Sequence, residues 1–179
     1  TPSHFVPQII KAVSLALEDG LDIPIVYNTS GYDSLESLKL LEGIVDIYLP
    51  DMRYADKGYS LRYSGVANYP AVNRAAVKEM YRQAGDIMME DGIAIRGLVI
   101  RHLILPDNIA GTDAVMNFIS SELSKEVYIS LMDQYFPAYK AHKIPELSRR
   151  ITKEEYDIGF NQMTECGLEN GWVQEHIEA

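Results

Sequence analysis

The chain has 179 residues, of which 47% are apolar and 23% are charged, a composition typical of a globular domain with its own core. Its formal net charge of −10 argues against a nucleic-acid-binding surface, which needs a basic face. The single cysteine, Cys166, cannot form an internal disulfide, and no apolar run approaches the ~20 residues that span a bilayer. We therefore expect a cytoplasmic protein that binds neither nucleic acid nor membranes.

The amino-terminal part predicts a helix followed by two strands. Apolar residues follow helical spacing over residues 6–17, and short apolar runs at 23–27 and 44–49 predict strands. Between the two strands, Asp33 has the position of an N-cap for a helix over 34–41.

The middle of the chain predicts an irregular segment, a long helix and a hairpin. Residues 53–69 are rich in Tyr, Ser and Gly and predict an irregular segment with one helical turn. Pro70 suits the first turn of a helix that reaches about residue 85. Asp91-Gly92 then forms the strongest short hairpin signal, and a strand is predicted over 98–105.

The last part predicts a helix, a strand and a closing helix. Thr112 is a predicted N-cap for a helix over 113–123, and residues 128–132 predict a strand. Thr152 begins a capping box for a helix that ends near Cys166-Gly167, and we expect an acidic tail after it.

Strands therefore alternate with helical segments, and every strand-to-strand connection is long enough for a crossover. This predicts an α/β fold, one domain over residues 1–179, in which parallel strands with outer helices form a partial (β/α) barrel. The chain opens with Thr1-Pro2 rather than a methionine and enters a helix directly. We expect it to be cut from a longer polypeptide, so that the barrel is truncated at its amino terminus. The exposed sheet edge at 23–27 would then favour self-association.

Polar residues follow the predicted strands, and parallel sheets bind ligands at the carboxyl ends of their strands. After the first strand, Asn28, Thr29 and Ser30 carry amide and hydroxyl groups that suit a sugar. After the second, Asp51 and Arg53 lie two residues apart, so we expect them to share one face and to pair an acceptor with a guanidinium donor that suits a zwitterion. A polar turn and an ordinary ion pair are the alternatives. The candidate ligand-binding residues are Asn28, Thr29, Ser30, Asp51, Arg53, Arg101, Gln134 and Tyr135.

Arg101 interrupts an apolar strand, where a charge is costly unless it is paired. Parallel strands are usually covered on both faces, so we favour a guanidinium that binds a ligand carboxylate over a residue facing solvent on an exposed last strand. The neighbouring His102 points the opposite way and is interpreted as a polar residue against a helix. One cysteine and four dispersed histidines match no zinc spacing, so no metal site is predicted.

The order and spacing of these segments resemble the carboxyl-terminal two-thirds of a radical S-adenosylmethionine enzyme, closest to pyruvate formate-lyase activating enzymes. The resemblance covers residues 1–141 and is carried by Thr1-Pro2, VYNTSG, LPDMR, RHLILP and MDQYFP. In that family a Gly-Gly-Glu-Pro-type segment and a Cys-x3-Cys-x2-Cys loop for a 4Fe-4S cluster precede this region. The resemblance implies that both lie upstream of residue 1.

The resemblance also implies a role for each candidate residue. Asn28, Thr29 and Ser30 fall on the ribose-contacting strand end of the family. Asp51 and Arg53 fall on its Asp-x-Lys strand end, with an arginine in place of the lysine. Arg101 falls on the arginine near the cofactor carboxylate, and Leu103 on the backbone contact to the adenine side. Gln134 and Tyr135 occupy the last strand end, where the activating enzymes often have a histidine.

The resemblance implies a parent enzyme that reductively cleaves S-adenosylmethionine and abstracts hydrogen from a partner such as a glycyl radical enzyme. This chain would supply cofactor contacts but no cluster ligands, and we expect it to be inactive alone. Two other hypotheses stay open. One is a cluster-free βα module that binds a nucleotide or sugar at the same strand ends. The other is a small α/β domain whose polar clusters are only caps and ion pairs.

Overall fold

The computed structural model describes residues 2–173, which form six strands and six α-helices. The helices are α1 (Val6–Glu18), α2 (Leu35–Leu40), α3 (Lys57–Ser64), α4 (Tyr69–Ala84), α5 (Thr112–Glu122) and α6 (Lys153–Glu165). The strands are β1 (Val26–Thr29), β2 (Ile47–Pro50), β3 (Met88–Glu90), β4 (Ile93–Leu103), β5 (Tyr128–Met132) and β6 (Gly171–Val173). Short 3-10 turns occupy Pro2–His4, Pro106–Asn108, Ala141–Lys143 and Pro145–Leu147.

The strands lie in the order β1-β2-β4-β5-β6 with parallel pairing throughout, and β3 pairs antiparallel with β4. Because the spatial order follows the chain order, right-handed crossovers place the connecting helices on one face of the sheet. That is the arrangement of a (β/α) barrel wall. The predicted α/β fold, with parallel strands and outer helices, is confirmed.

Side chains alternate between the helix-covered face of the sheet and the opposite face. On β4, Leu98, Ile100 and His102 are buried in the core with the helices, whereas Arg101 and Leu103 on the opposite face are partly exposed. The opposite face is therefore where a polar ligand can reach the strand ends.

The first two strands each begin three residues later than predicted, at Val26 and Ile47. Pro24 has no N–H to donate, and the N–H of Ile25 is bound by the Asp46 carboxylate at 2.8 Å. Regular pairing therefore starts only after these residues. At the other end of β2, Pro50 is the last residue of the strand, one residue beyond the predicted end at 49.

The segment predicted to be irregular with one helical turn contains α3, a helix of two turns. Asp56 accepts the N–H groups of Gly58 and Tyr59, and Gly65 ends the helix with φ of 72°. The Asp91-Gly92 hairpin and the long helix beginning near Pro70 are both confirmed.

The carboxyl-terminal helix is confirmed, including the capping box between Thr152 and Glu155. The short strand β6 that follows it was not predicted. Thr1 of the Thr1-Pro2 motif, and the end of the acidic tail with His176, lie outside the described residues. Within residues 2–173, no helix has both the length and the apolar character needed to cross a membrane.

Candidate functional site

The carboxyl ends of β1, β2 and β4 meet around the carboxylate of Asp51. Its Oδ2 accepts a hydrogen bond from Nη2 of Arg53 at 2.8 Å, and its Oδ1 lies 3.1 Å from Nε of Arg101. Arg101 also reaches β1, where its Nη1 donates to Oδ1 of Asn28 at 3.3 Å. Three clusters that are far apart in the sequence are therefore joined in one network of side chains.

The backbone fixes the relative positions of these strand ends. Asp51 forms a parallel bridge with Arg101 just beyond β2, and the N–H of Met52 donates to the carbonyl of Arg101 at 2.9 Å. Asp51 and Arg53 lie two residues apart in an extended segment, so their side chains share a face, as predicted.

One carboxylate between two guanidinium groups leaves this cluster with a net positive charge, in a chain with a formal charge of −10. The Asp51 side chain is 11% exposed, whereas Arg101 is 29% and Arg53 54% exposed. Burial lowers the pKa of Arg53, but its hydrogen bond to Asp51 raises it further, so the group stays protonated. The cluster can therefore attract an anion from solvent.

A cavity of about 260 Å³ opens beside this cluster, slightly smaller than the roughly 300–1,000 Å³ typical of small-molecule sites. Six of the nine residues carried over from the resemblance line it, together with three further side chains. The lining residues are Asp51, Arg53, Tyr54, Arg101, Leu103, Leu105, Met132, Gln134 and Tyr135.

At the last strand end, Tyr135 and Gln134 are already engaged within the chain. The Tyr135 hydroxyl donates to the carbonyl of Leu147 at 2.8 Å, and burial raises the pKa of this phenol. Gln134 Nε2 lies 3.4 Å from Sδ of Met132. Tyr135 therefore offers its ring to the cavity rather than its hydroxyl.

Thr29 and Ser30 are not brought into the cavity. Thr29 faces the helix-covered side, and its buried hydroxyl donates to Oδ2 of Asp33 at 2.6 Å. Ser30 accepts at its carbonyl from the Tyr69 hydroxyl at 3.1 Å. The side chain predicted to contact a ribose at Thr29 is thus turned away from the site, because residues alternate along the strand.

The predicted N-cap role of Asp33 is wrong, because its carboxylate binds side chains of β1 instead of the start of α2. Its carboxylate is buried and accepts the hydroxyl groups of Tyr27 at 3.0 Å and Thr29 at 2.6 Å. Ser34 caps α2 instead, accepting the N–H of Ser37 at 3.1 Å.

Two buried residues at the start of α4 form hydrogen bonds to the backbone that follows both β1 and β2. The sequence analysis did not assign them a role. Asn73 donates from Nδ2 to the carbonyls of Gly31 at 3.0 Å and Asp51 at 2.9 Å. The Tyr69 hydroxyl lies 3.2 Å from the carbonyl of Asp51 and accepts the N–H of Arg53 at 3.1 Å. Asn73 was detectable as a polar residue on the inner, apolar face of the helix.

His102 lies on the opposite face from Arg101 and contacts α5, as predicted. Its Nδ1 lies 2.8 Å from the carbonyl of Met52, and its Nε2 lies 3.0 Å from Oγ1 of Thr112. The predicted N-cap role of Thr112 is therefore wrong, because its hydroxyl is used by His102 and Gly111 precedes the helix. Burial lowers the pKa of His102 to about 4, so the imidazole is neutral near pH 7.

The residues at this edge fit a carboxylate-bearing ligand but not an iron–sulfur cluster. Guanidinium groups bind carboxylates, whereas iron–sulfur clusters need thiolates. The thiol of Cys166 lies after α6, 3.7 Å from the side chain of Asn117 and just before β6, at the amino edge of the sheet. No group of His, Cys, Asp and Glu within residues 2–173 is arranged to hold a metal ion.

The chain is similar to an uncharacterized protein of the archaeon Methanocaldococcus jannaschii. The two are 31% identical over 159 residues, which cover 87% of this chain and 41% of that relative. The chain thus spans less than half the length of the relative it matches. No family model matches the chain, and no solved structure matches it.

Proposed function

We propose that this chain forms one wall of the S-adenosylmethionine site in a radical S-adenosylmethionine enzyme of the activating type. The observation that carries the proposal is the position of Arg101, a partly exposed guanidinium beside a cavity at the carboxyl ends of parallel strands. The resemblance assigns this residue to the cofactor carboxylate. Arg53, Leu103 and Gln134 line the same cavity, which supports a shared ligand.

In this proposal each side chain has a separate task. Arg101 binds the carboxylate of the cofactor, and Asp51 accepts from its ammonium group while holding both arginines in place. Asn28 orients the Arg101 guanidinium through Oδ1. Tyr54, Leu103 and Tyr135 exclude water from the apolar part of the ligand.

The chemistry of the parent enzyme resides in groups that this chain does not provide. When bound, the cofactor and a 4Fe-4S cluster supply reductive cleavage and hydrogen abstraction from a partner, such as a glycyl radical enzyme. We propose that the cluster ligands lie upstream of residue 1, that the parent is cytoplasmic, and that this chain alone is inactive. A visible absorbance band after anaerobic reconstitution of this chain with iron and sulfide would overturn the last point.

The second candidate is a cluster-free module that binds a nucleotide through its phosphate. It is favoured by the lining of the cavity, in which two guanidinium groups stand beside the tyrosine rings of Tyr54 and Tyr135. A sugar ligand is less well supported, since the Thr29 hydroxyl is bound by Asp33.

Calorimetric titration with three probes separates the candidates. S-adenosylmethionine should bind the wild-type chain, and Arg101→Ala should weaken it roughly 10- to 100-fold, the effect of losing one charge-assisted hydrogen-bonding group. 5′-Methylthioadenosine lacks the carboxylate and should lose little on the same substitution. Arg96→Ala is the matched control, because Arg96 lies on the same strand but donates to the Gln83 carbonyl outside the cavity. Binding of ATP without S-adenosylmethionine would favour the second candidate.

The upstream sequence of the parent gene tests the radical chemistry separately. A Cys-x3-Cys-x2-Cys loop in frame before Thr1 would support a radical enzyme. An open reading frame without those cysteines would overturn that assignment, even if the chain binds S-adenosylmethionine.

A further inference from the structure

His102 is a fully buried polar residue that bonds on both sides of its ring. It lies between the sheet and α5, with 0% of its surface exposed. Nδ1 contacts the carbonyl of Met52 at 2.8 Å, and Nε2 contacts Oγ1 of Thr112 at 3.0 Å. Since the ring neighbours Arg101 in the chain but faces the other side, it does not line the cavity.

The partners of His102 determine its tautomer. A carbonyl oxygen can only accept, so the proton must reside on Nδ1, which donates to Met52. The neutral Nε2 then accepts the hydroxyl of Thr112. Thr112 is itself held at its N–H, which donates to Oδ1 of Asn108 at 3.0 Å. The ring is therefore bound in one orientation.

Met52 lies between Asp51 and Arg53, two of the charged residues of the site. Its N–H donates to the Arg101 carbonyl at 2.9 Å, and its own carbonyl accepts from His102. Both peptide polar groups of Met52 are thus bonded to β4 or to a side chain of β4. Its side chain is buried as well. The residues on either side, Asp51 and Arg53, are consequently fixed on the cavity face.

We propose that His102 is a positioning residue that holds the segment from Asp51 to Arg53 in register with Arg101. This rests on the proposed function insofar as the positioned groups bind the cofactor carboxylate and ammonium. His102 acts through the Met52 carbonyl and touches no ligand. Without that bond the peptide between Met52 and Arg53 is held only through the Arg53 N–H, which donates to the Tyr69 hydroxyl at 3.1 Å, and Arg53 is positioned less firmly relative to Arg101.

Two substitutions that each retain one of the two bonds test this role. The amide of His102→Asn reaches the position of Nδ1 and can still donate to Met52. The amide of His102→Gln reaches the position of Nε2 and can still accept from Thr112. Both place a buried amide at the same site, so a purely structural role predicts similar behaviour. His142→Gln, at an exposed histidine, is the surface control.

We expect His102→Gln to weaken S-adenosylmethionine binding roughly tenfold, the effect of losing one hydrogen bond, while His102→Asn stays within roughly threefold of wild type. Amide hydrogen exchange without ligand should accelerate at Met52 and Arg53 in His102→Gln only. The proposal would be overturned if both variants lost the same affinity and showed the same amide exchange rates at Met52 and Arg53.

The positioning role can still be tested if a variant does not fold or the wild type does not bind the cofactor. If His102→Gln does not fold, the nitrogen-15 chemical shifts of the wild-type imidazole decide, because an Nε2–H tautomer cannot donate to Met52 and would overturn the role of His102. If wild type does not bind S-adenosylmethionine at all, the proposed function fails. The exchange rates at Met52 and Arg53 then decide the positioning role on their own.

Discussion

Asp51 and Arg101 form an ion pair across the last backbone bridge between their two strands. Oδ1 of Asp51 lies 3.1 Å from Nε of Arg101, and the same two residues are paired in parallel through their backbones. Neither atom has an aligned hydrogen-bond partner among the described residues. The backbone therefore sets this distance more than the ion pair does, and a ligand anion can draw the Arg101 guanidinium away from Asp51 without breaking an aligned hydrogen bond between the two.

Substituting Asp51→Asn should lower the free energy of unfolding by about 1–2 kcal/mol, because two arginines lose their carboxylate partner. The loss stays modest since Arg53 is half exposed and water screens it. Urea unfolding measures it. Asp157→Asn removes an exposed pair with Lys153 and should cost less than about 0.5 kcal/mol. Equal costs for the two variants would contradict the central role of Asp51.

Gly31 allows two backbone segments to approach closely at the site. It has φ of 71°, and a Cβ there would lie 2.2 Å from Nδ2 of Asn73 and 2.4 Å from the carbonyl of Asp51. We expect Gly31→Ala to reduce stability by about 3 kcal/mol or more, through clash and backbone strain together. Gly43→Ala is the matched control, because Gly43 has φ of 78° but open space around it. It should cost about 1 kcal/mol, the strain alone. Thermal unfolding of both variants separates the two contributions, and similar midpoints would contradict the close approach.

Asn73→Ala should leave two buried carbonyls, of Gly31 and Asp51, without their shared donor. We expect a loss of about 2–3 kcal/mol in the free energy of unfolding, since buried acceptors cannot recover these bonds from water. Asn117→Ala is the comparison, because the exposed Asn117 amide donates to a single helix carbonyl, that of Asp113. Its loss should cost less than about 1 kcal/mol. A larger loss of stability at Asn117 than at Asn73 would show that the Asn73 hydrogen bonds between the ends of β1 and β2 contribute little to the free energy of unfolding.

The sequence predicted the alternation of strands and helices because periodicity and turn residues are local signals. It predicted the meeting of Asp51 and Arg53 for the same reason, since two-residue spacing is itself a local property. The N-cap roles of Asp33 and Thr112 were wrong because tertiary partners competed for the same side chains. Such partners, like the carbonyls bound by Asn73, are distant in the chain and carry no local pattern.

The short strand β6 was not predicted for a related reason, because it too depends on residues distant in the chain. Trp172 and Val173 follow Gly171 without the alternating run that predicts a strand, and their conformation depends on pairing with β5. Arg101 was identified more readily, because a charge within an apolar strand is visible in the sequence. Whether that charge faced the helices or a cavity was decided only by which face the crossovers cover.

The buried imidazole of His102 predicts how stability depends on pH. Burial lowers its pKa from 6.5 to about 4 in the folded chain, whereas the unfolded chain keeps the ordinary value. Between these values the unfolded state binds a proton that the folded state does not, so the free energy of unfolding falls as the pH decreases from about 6.5 to about 4. The full effect is about 3–4 kcal/mol, at about 1.4 kcal/mol for each pKa unit.

Glu155 produces a separate effect at lower pH. The hydrogen bond from Arg149 holds the pKa of this carboxyl at about 2, below its ordinary value of 4.5, so its stabilisation is lost as the pH falls from 4.5 through about 2. Urea unfolding across both windows should therefore give two slopes. His102→Asn should flatten the upper slope and leave the lower one. Glu155→Gln should leave the upper slope and reduce the lower one, to which Glu79 also contributes because the hydrogen bond from Arg82 holds its pKa at about 2. If His102→Asn leaves the upper slope unchanged, the folded chain does not hold the imidazole neutral below its ordinary pKa of 6.5. Nε2 of the charged ring would then donate to the Thr112 hydroxyl instead of accepting from it.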